Sequence, residues 1–350
     1  MHNTAVCVLG MHRSGTSALA GALRLLGVTL GESLLPQSED NPRGFWEHAD
    51  IVDLHKRLLS SLGSSWDDVR PLPELWWTDD GINPFRDKLI ELLQRDFAEA
   101  QIWGVKDPRM CKLIPLWQNI LNELGCESRF ILIHRHPIEV ARSLKKRNGF
   151  TEAKSGLLWL EHNLLAENWT RGQARLFIRY DQLLADRRAS ILKIANFIRP
   201  ELAQRGDQSM AQVADFLTPQ LRNHAEPADL RGADFGACSS LVAQCHQSLN
   251  DACHADTDAI RKRFDTSYEG YEALTAGFDA ALASHAGDLQ RELTELRERL
   301  DRVQSTVSWQ LLRPLRRIER LLGRLTTSTS SPSHVSECGP HEAAPRQTLS

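Results

Sequence analysis

The chain has 350 residues, 41% hydrophobic and 25% charged, with a formal net charge of -3. This is an ordinary globular composition, long enough for one large domain or two modest ones. A slightly acidic chain has no general attraction for nucleic acid, so none is expected as a partner, and any anion must be held by local clusters of cations.

Strand-like and helix-like segments alternate along the first two thirds. Residues 5–9 are an apolar run, and residues 16–26 set Ala18, Leu19, Ala22, Leu23 and Leu26 at helical spacing, with Gly27 where a C-cap falls. Residues 36–44 (PQSEDNPRG) and 63–84 are rich in turn formers. The second loop carries Trp66, Trp76 and Trp77, read either as an exposed lid or substrate surface or as packing against the sheet edge. Residues 102–105, 129–134 (RFILIH) and 174–180 (ARLFIRY) are further strands, with helices over 138–146 and from 180 to about 198. This alternation predicts an α/β fold of three layers, a parallel sheet between two sets of helices.

The C-terminal part has a different pattern. Leu289, Leu293, Leu296, Leu300, Val303 and Val307 step by fours and threes, the seam of a short coiled coil that predicts self-association through residues 289–307. After Pro314, leucines alternate with Arg313, Arg316, Arg317, Arg320 and Arg324. Residues 311–325 therefore read as a basic amphipathic helix, suited to an anionic membrane surface or to packing on its own domain. Residues 326–350 have a disordered composition. The expected organisation is a domain over 1–275, a helical extension over 276–325 and a tail over 326–350.

No run of eighteen apolar residues predicts a membrane span, and MHNTAVCVLG lacks the basic-then-apolar order of a signal peptide. The seven cysteines are odd in number and include no CxxC. Cys245–His246 and Cys253–His254 fit no common zinc spacing, so reduced cytoplasmic thiols and no metal are expected.

Chemistry concentrates in two motifs. In VCVLGMHRSGTS (residues 6–17), Gly10 and Gly15 stand five apart between a strand and a helix, the outline of a phosphate-binding loop. A nucleotide kinase places lysine after the second glycine to reach the β- and γ-phosphates. Here that position is Thr16 and the cation comes earlier, at Arg13. A tight strand-to-helix turn explains the glycines but not Arg13, Ser14, Thr16 and Ser17 together. In the second motif, RHPIEVARS, Arg135 leaves a strand end and Ser143 follows eight residues later. A guanidinium there suits phosphate oxygens.

The two motifs, in this order, resemble those of sulfotransferases that use the donor PAPS (3′-phosphoadenosine 5′-phosphosulfate). The resemblance covers residues 5–224 and implies a P-loop-like fold. It also implies 5′-phosphosulfate contacts from Arg13, Ser14, Gly15, Thr16 and Ser17, and 3′-phosphate contacts from Arg135 and Ser143. Tyr180–Asp181 and residues 216–224 (FLTPQLRNH) are similar to further family segments. Arg261, Lys262 and Arg263 stand where some members have a late basic loop. The family needs no metal.

Carbohydrate-acting members often use a glutamate after the first helix as base, which points to Glu47 in RGFWEH, with His48 and His55 as rivals and helix capping as the bland role. Lys106, Asp107 and Arg109 (VKDPR) resemble a segment whose lysine approaches the active site; a salt-bridged strand end is the other reading. The implied activity is sulfuryl transfer from PAPS to a hydroxyl, with Glu47, Arg13, Lys106 and His48 as catalytic candidates. A carbohydrate acceptor is expected from Glu47 and from STVSWQLLRPLRRI, which is similar to tails of glycosyltransferases that build surface polysaccharides and so predicts a place at the inner membrane. A P-loop nucleotide kinase or NTPase is the alternative. A non-catalytic scaffold keeping the fold as a relic is the third.

Overall fold

A computed structural model describes residues 3–38, 41, 43–204, 207–218, 221, 230, 233–278 and 291–299, with backbone alone at 207–210. The chain divides into two units, Met1–Asp279 and Ala280–Ser350. In the second, residues 291–299 are helical and Leu293 and Leu296 are exposed. The rest of the expected 289–307 seam, the basic 311–325 segment and the 326–350 tail lie outside the described residues, as do most residues of 219–229. No helix among the described residues is long and apolar enough to cross a membrane.

The first unit is built on four parallel strands, β1 (Thr4–Leu9), β2 (Ile102–Lys106), β3 (Glu127–His134) and β4 (Arg175–Arg179), ordered β2-β1-β3-β4. Every residue of β1 is buried, as expected of a strand covered on both faces. The pleat sends alternate side chains into two cores. Ala5, Cys7 and Leu9, with Phe130, Leu132 and Phe177, join one core; Val6 and Val8, with Ile131, Ile133 and Ile178, join the other. The three-layer arrangement expected from the sequence is therefore present.

On the first face pack α2 (Ala49–Ser61), α3 (Asn83–Phe97), α4 (Met110–Glu123), α5 (Pro137–Asn148), α6 (Glu152–Trp169), α11 (Ser239–Ala252) and α12 (Asp258–Thr275). On the second lie α1 (Thr16–Leu25), α7 (Tyr180–Ala185), α8 (Arg187–Ile198), the short α9 (Pro200–Ala203) and α10 (Asp207–Phe216). Pro137 opens α5 and Gly149 closes it in the left-handed conformation, while Lys145, Lys146 and Arg147 fill its last turn.

Some elements differ from expectation. Tyr180 begins α7 instead of ending β4, and Asp186 then caps a separate α8. Helix α6 buries Leu158, Trp159, Leu160, Glu161 and His162 in succession, so it has no apolar stripe for a periodicity reading to find. The tryptophans of the 63–84 loop divide: Trp66 lines the cavity described below, while the other two pack inward. Trp76 is buried, and Trp77 meets Trp169 of α6 edge-on at 5.0 Å.

From β1 the chain crosses to β2 on one side, and β3 lies on the other. The carboxyl ends of β1 and β3 thus flank a switch point, where open α/β sheets bind ligands.

Candidate functional site

The loop from Gly10 to Gly15 leaves β1 at this point. A Cβ on Gly10 would lie 2.3 Å from the Ile133 carbonyl oxygen, and one on Gly15 would lie 2.1 Å from the Tyr180 ring. Gly15 also has φ +89°, so close approach and backbone conformation both require glycine there. Arg13 takes φ 70°, a left-handed conformation that an L side chain adopts only under constraint. Helix α1 starts after Gly15 with no side-chain cap and no acid in its first turn. Its first N–H groups and dipole are therefore open to an anion. The hydroxyl of Ser14 is buried without a hydrogen-bond partner.

At the end of β3, Arg135 is 7% exposed and its Nε donates to Glu139 at 2.6 Å. Its Nη1 donates to the Arg13 carbonyl at 3.2 Å, and its guanidinium lies 5.1 Å from the Tyr180 ring centre. Arg13 Nε donates to Ser143 Oγ at 2.8 Å. The expected Arg135–Ser143 pair is thus assembled, with Arg13 reaching from the first motif into the second. Tyr180 forms the floor at β4, and its hydroxyl donates to the Leu221 carbonyl.

At the end of β2, buried Lys106 forms an ion pair with Glu47 and donates to Ser17 Oγ at 3.1 Å and to the Phe45 carbonyl at 3.2 Å. Arg109 Nη1 sits 2.8 Å from Asp107 and 3.9 Å from Glu47. Glu47 is therefore a carboxylate between two cations, tied through Lys106 to the first turn of α1.

The two rivals of Glu47 lie off the cavity. His48 is the N-cap residue of α2 and its Nε2 pairs with Asp96 at 2.9 Å, away from the cavity. His55 is fully buried, held between Asp107 at 2.8 Å and the Trp117 indole N–H at 2.9 Å. Neither lines the cavity. Arg261, Lys262 and Arg263 are displaced as well: they lie on α12, where Arg261 pairs with Asp256 and Asp258 and Arg263 with Asp251.

These strand ends open into a cavity of about 610 Å³, within the usual range of small-molecule sites. Among the described residues seven cations line it, Arg13, Arg43, Lys56, Lys106, Arg109, Arg135 and Arg147, against the single carboxylate of Glu47. A chain of net charge -3 thus concentrates positive charge at one place. Sequence reasoning missed several of the lining residues. Arg147 follows Ser143 by four residues, so the i,i+4 spacing on α5 was a usable sign. Its guanidinium stacks 5.3 Å from the centre of Trp66. His12 was missed too; only tertiary packing brings it to Trp66, a residue the sequence had singled out, with ring centres 4.3 Å apart. Burial, with Arg109 beside it, holds the His12 imidazole neutral.

The Cys245–His246 and Cys253–His254 pairs do not gather as ligands. Cys253 Sγ instead lies 3.5 Å from His134 Nε2. Among the described residues, ligand-like spacing occurs at His48, Asp50 and Asp96, where Arg95 pairs with both carboxylates.

No family model and no curated protein matches the chain. Solved structures similar to it include two sulfotransferase domains. One is a sulfotransferase domain from the Synechococcus PCC 7002 olefin synthase, at 21% identity and TM-score 0.36, covering 73% of this chain and 97% of that one. The other is a sulfotransferase domain from the curacin biosynthetic pathway, at 15% identity and TM-score 0.39, covering 71% and 98%. At these scores neither carries an argument about function.

Proposed function

We propose that this chain is a sulfotransferase that moves the sulfuryl group of PAPS to the hydroxyl of a carbohydrate acceptor. The observation that carries the reading is the seven-cation cavity laid across three strand ends. Its Arg135–Arg13–Ser143 cluster lies at β3, its glycine loop at β1 and its Lys106–Glu47 pair at β2. A ligand with two separated anionic ends suits that layout. The uncapped N-terminus of α1, with no acid in its first turn, offers N–H groups to one of those ends.

In this reading Arg135 and Ser143 hold the 3′-phosphate. The loop amides, Arg13 and the α1 N-terminus hold the 5′-phosphate and meet the charge that grows on it as it departs. Glu47 takes the proton of the acceptor hydroxyl. The oxygen–sulfur bond forms as the bond from sulfur to the phosphate oxygen breaks, leaving PAP, a sulfate ester and one proton on Glu47. Lys106 positions both sides, since it touches Glu47 and Ser17 at once.

The carbohydrate acceptor rests on Glu47 and on the 305–318 segment of the sequence. Peripheral membrane contact through residues 311–325, a place at the inner membrane and self-association through residues 289–307 rest on sequence pattern. Deleting residues 288–350 is expected to release the protein from membranes; unchanged membrane association refutes the anchor.

Thermal denaturation with PAP, with ATP plus magnesium, and with buffer tests the main reading. PAP is expected to raise the midpoint. Stabilisation by ATP and not by PAP overturns the proposal in favour of a P-loop kinase or NTPase.

A further inference from the structure

The strand order β2-β1-β3 sets the cavity out in a line. If the donor's two phosphates occupy β3 and β1, as proposed above, the acceptor enters at β2. At that end Lys106 is matched by Glu47 and Asp107 engages Arg109, which leaves Lys56 and the Arg109 Nε for an incoming group.

Arg109 is 8% exposed and lines the cavity. Asp107 engages its Nη1, while its Nε is buried with no hydrogen-bond partner. A buried guanidinium N–H left unpaired costs on the order of 1–3 kcal/mol, so its presence in a cavity wall marks a place for an acceptor atom. His12 lines the same wall and its Nε2 is likewise buried and unpartnered. Lys56, on α2, lines the cavity one helical turn after Val52, and no carboxylate among the described residues pairs with it.

We propose that Arg109, Lys56 and His12 form an acceptor subsite for an anionic group, so that the acceptor is a hydroxyl compound bearing a carboxylate, sulfate or phosphate. Arg109 gives the planar contact, Lys56 the mobile charge at the entrance and His12 a neutral hydrogen bond. This inference rests on the PAPS reading. It adds that the acceptor is recognised by charge as well as by the hydroxyl it offers.

The test uses the full chain saturated with PAP, so that the donor's phosphate sites are filled. Thermal midpoints are followed while inorganic sulfate, methyl glucuronide or methyl glucoside is added at matched ionic strength. Sulfate, the glucuronide or both are expected to raise the midpoint saturably, and the glucoside is not; which anion acts separates ester-type from carboxylate acceptors. Lys56→Gln, an exposed change, should weaken the response about tenfold. Arg109→Lys keeps the charge beside Asp107 and should weaken it by a similar factor. A glucoside response as large as that to the anions, no response to any probe, or an unchanged response in Lys56→Gln overturns the subsite. Failure of PAP itself to stabilise the chain is a separate result, and it removes the donor reading on which the subsite stands.

Discussion

Arg13 Nε and Ser143 Oγ, 130 residues apart in sequence, meet at 2.8 Å across the ends of β1 and β3. The contact joins the two motifs into one cationic face, and Arg135 completes it by donating to the Arg13 carbonyl. Ser143→Ala is expected to weaken PAP binding about tenfold, the effect of one charge-assisted hydrogen bond. Arg135→Ala should weaken it more, but it also breaks the buried ion pair with Glu139, at a cost of about 3–5 kcal/mol. Calorimetric titration of the serine variant is therefore the clean measurement, and full affinity there would move the 3′-phosphate elsewhere.

Glu47→Gln is expected to retain PAP binding and to lower turnover by roughly 10²- to 10⁴-fold, the usual contribution of a positioned base. Lys106 keeps its bonds to Ser17 and the Phe45 carbonyl in this variant. Radiolabelled sulfuryl transfer reads the outcome. Full activity would exclude Glu47, and because His48 and His55 face away from the cavity, His12 would become the next candidate.

Gly15→Ala tests the loop. The change forces φ +89° on an alanine, costing roughly 1–2 kcal/mol, and drives its Cβ into the Tyr180 ring. Loss of PAP binding is expected, together with a lower thermal midpoint. A variant that binds PAP normally would show that the loop does not cradle the ligand.

Acid should destabilise the protein through its buried histidines. Burial lowers His12 well below its usual range, His134 and His162 to about 3 and His246 to about 4. Groups with depressed folded values bind protons on unfolding, so their stabilisation is complete above about 6.5 and is lost as pH falls below it. Each contributes a slope of about 1.4 kcal/mol per pH unit. Glu161 acts in the opposite sense. Burial pushes it up to about 7 despite Lys112 beside it, so its contribution falls as pH rises between about 4.5 and 7. Four histidines outweigh one carboxyl, and urea denaturation should show stability falling from pH 6.5 to 5. A flat profile would contradict the burial of these rings.

Much of this was legible in the residue order. The first glycine loop, the apolar strands and the Arg135–Ser143 spacing are local patterns, and each rests on chain geometry over fewer than ten residues. Thr16 in the lysine position is local as well. Helix α6 was not legible, because a helix buried on all sides carries no stripe. Nor could local pattern separate Glu47 from His48 and His55, which stand one and eight residues away. Tertiary structure sets the three in different surroundings. Asp96 draws His48 outward, Asp107 and Trp117 enclose His55, and Lys106 from β2 holds Glu47 at the cavity wall. The strand order, which no spacing encodes, then set the Arg13–Ser143 contact and the Arg109 end on opposite sides of the same loop. Sequence alone determined which groups could hold an anion; packing across the sheet determined which of them face one another, because those contacts span residues far apart in the chain.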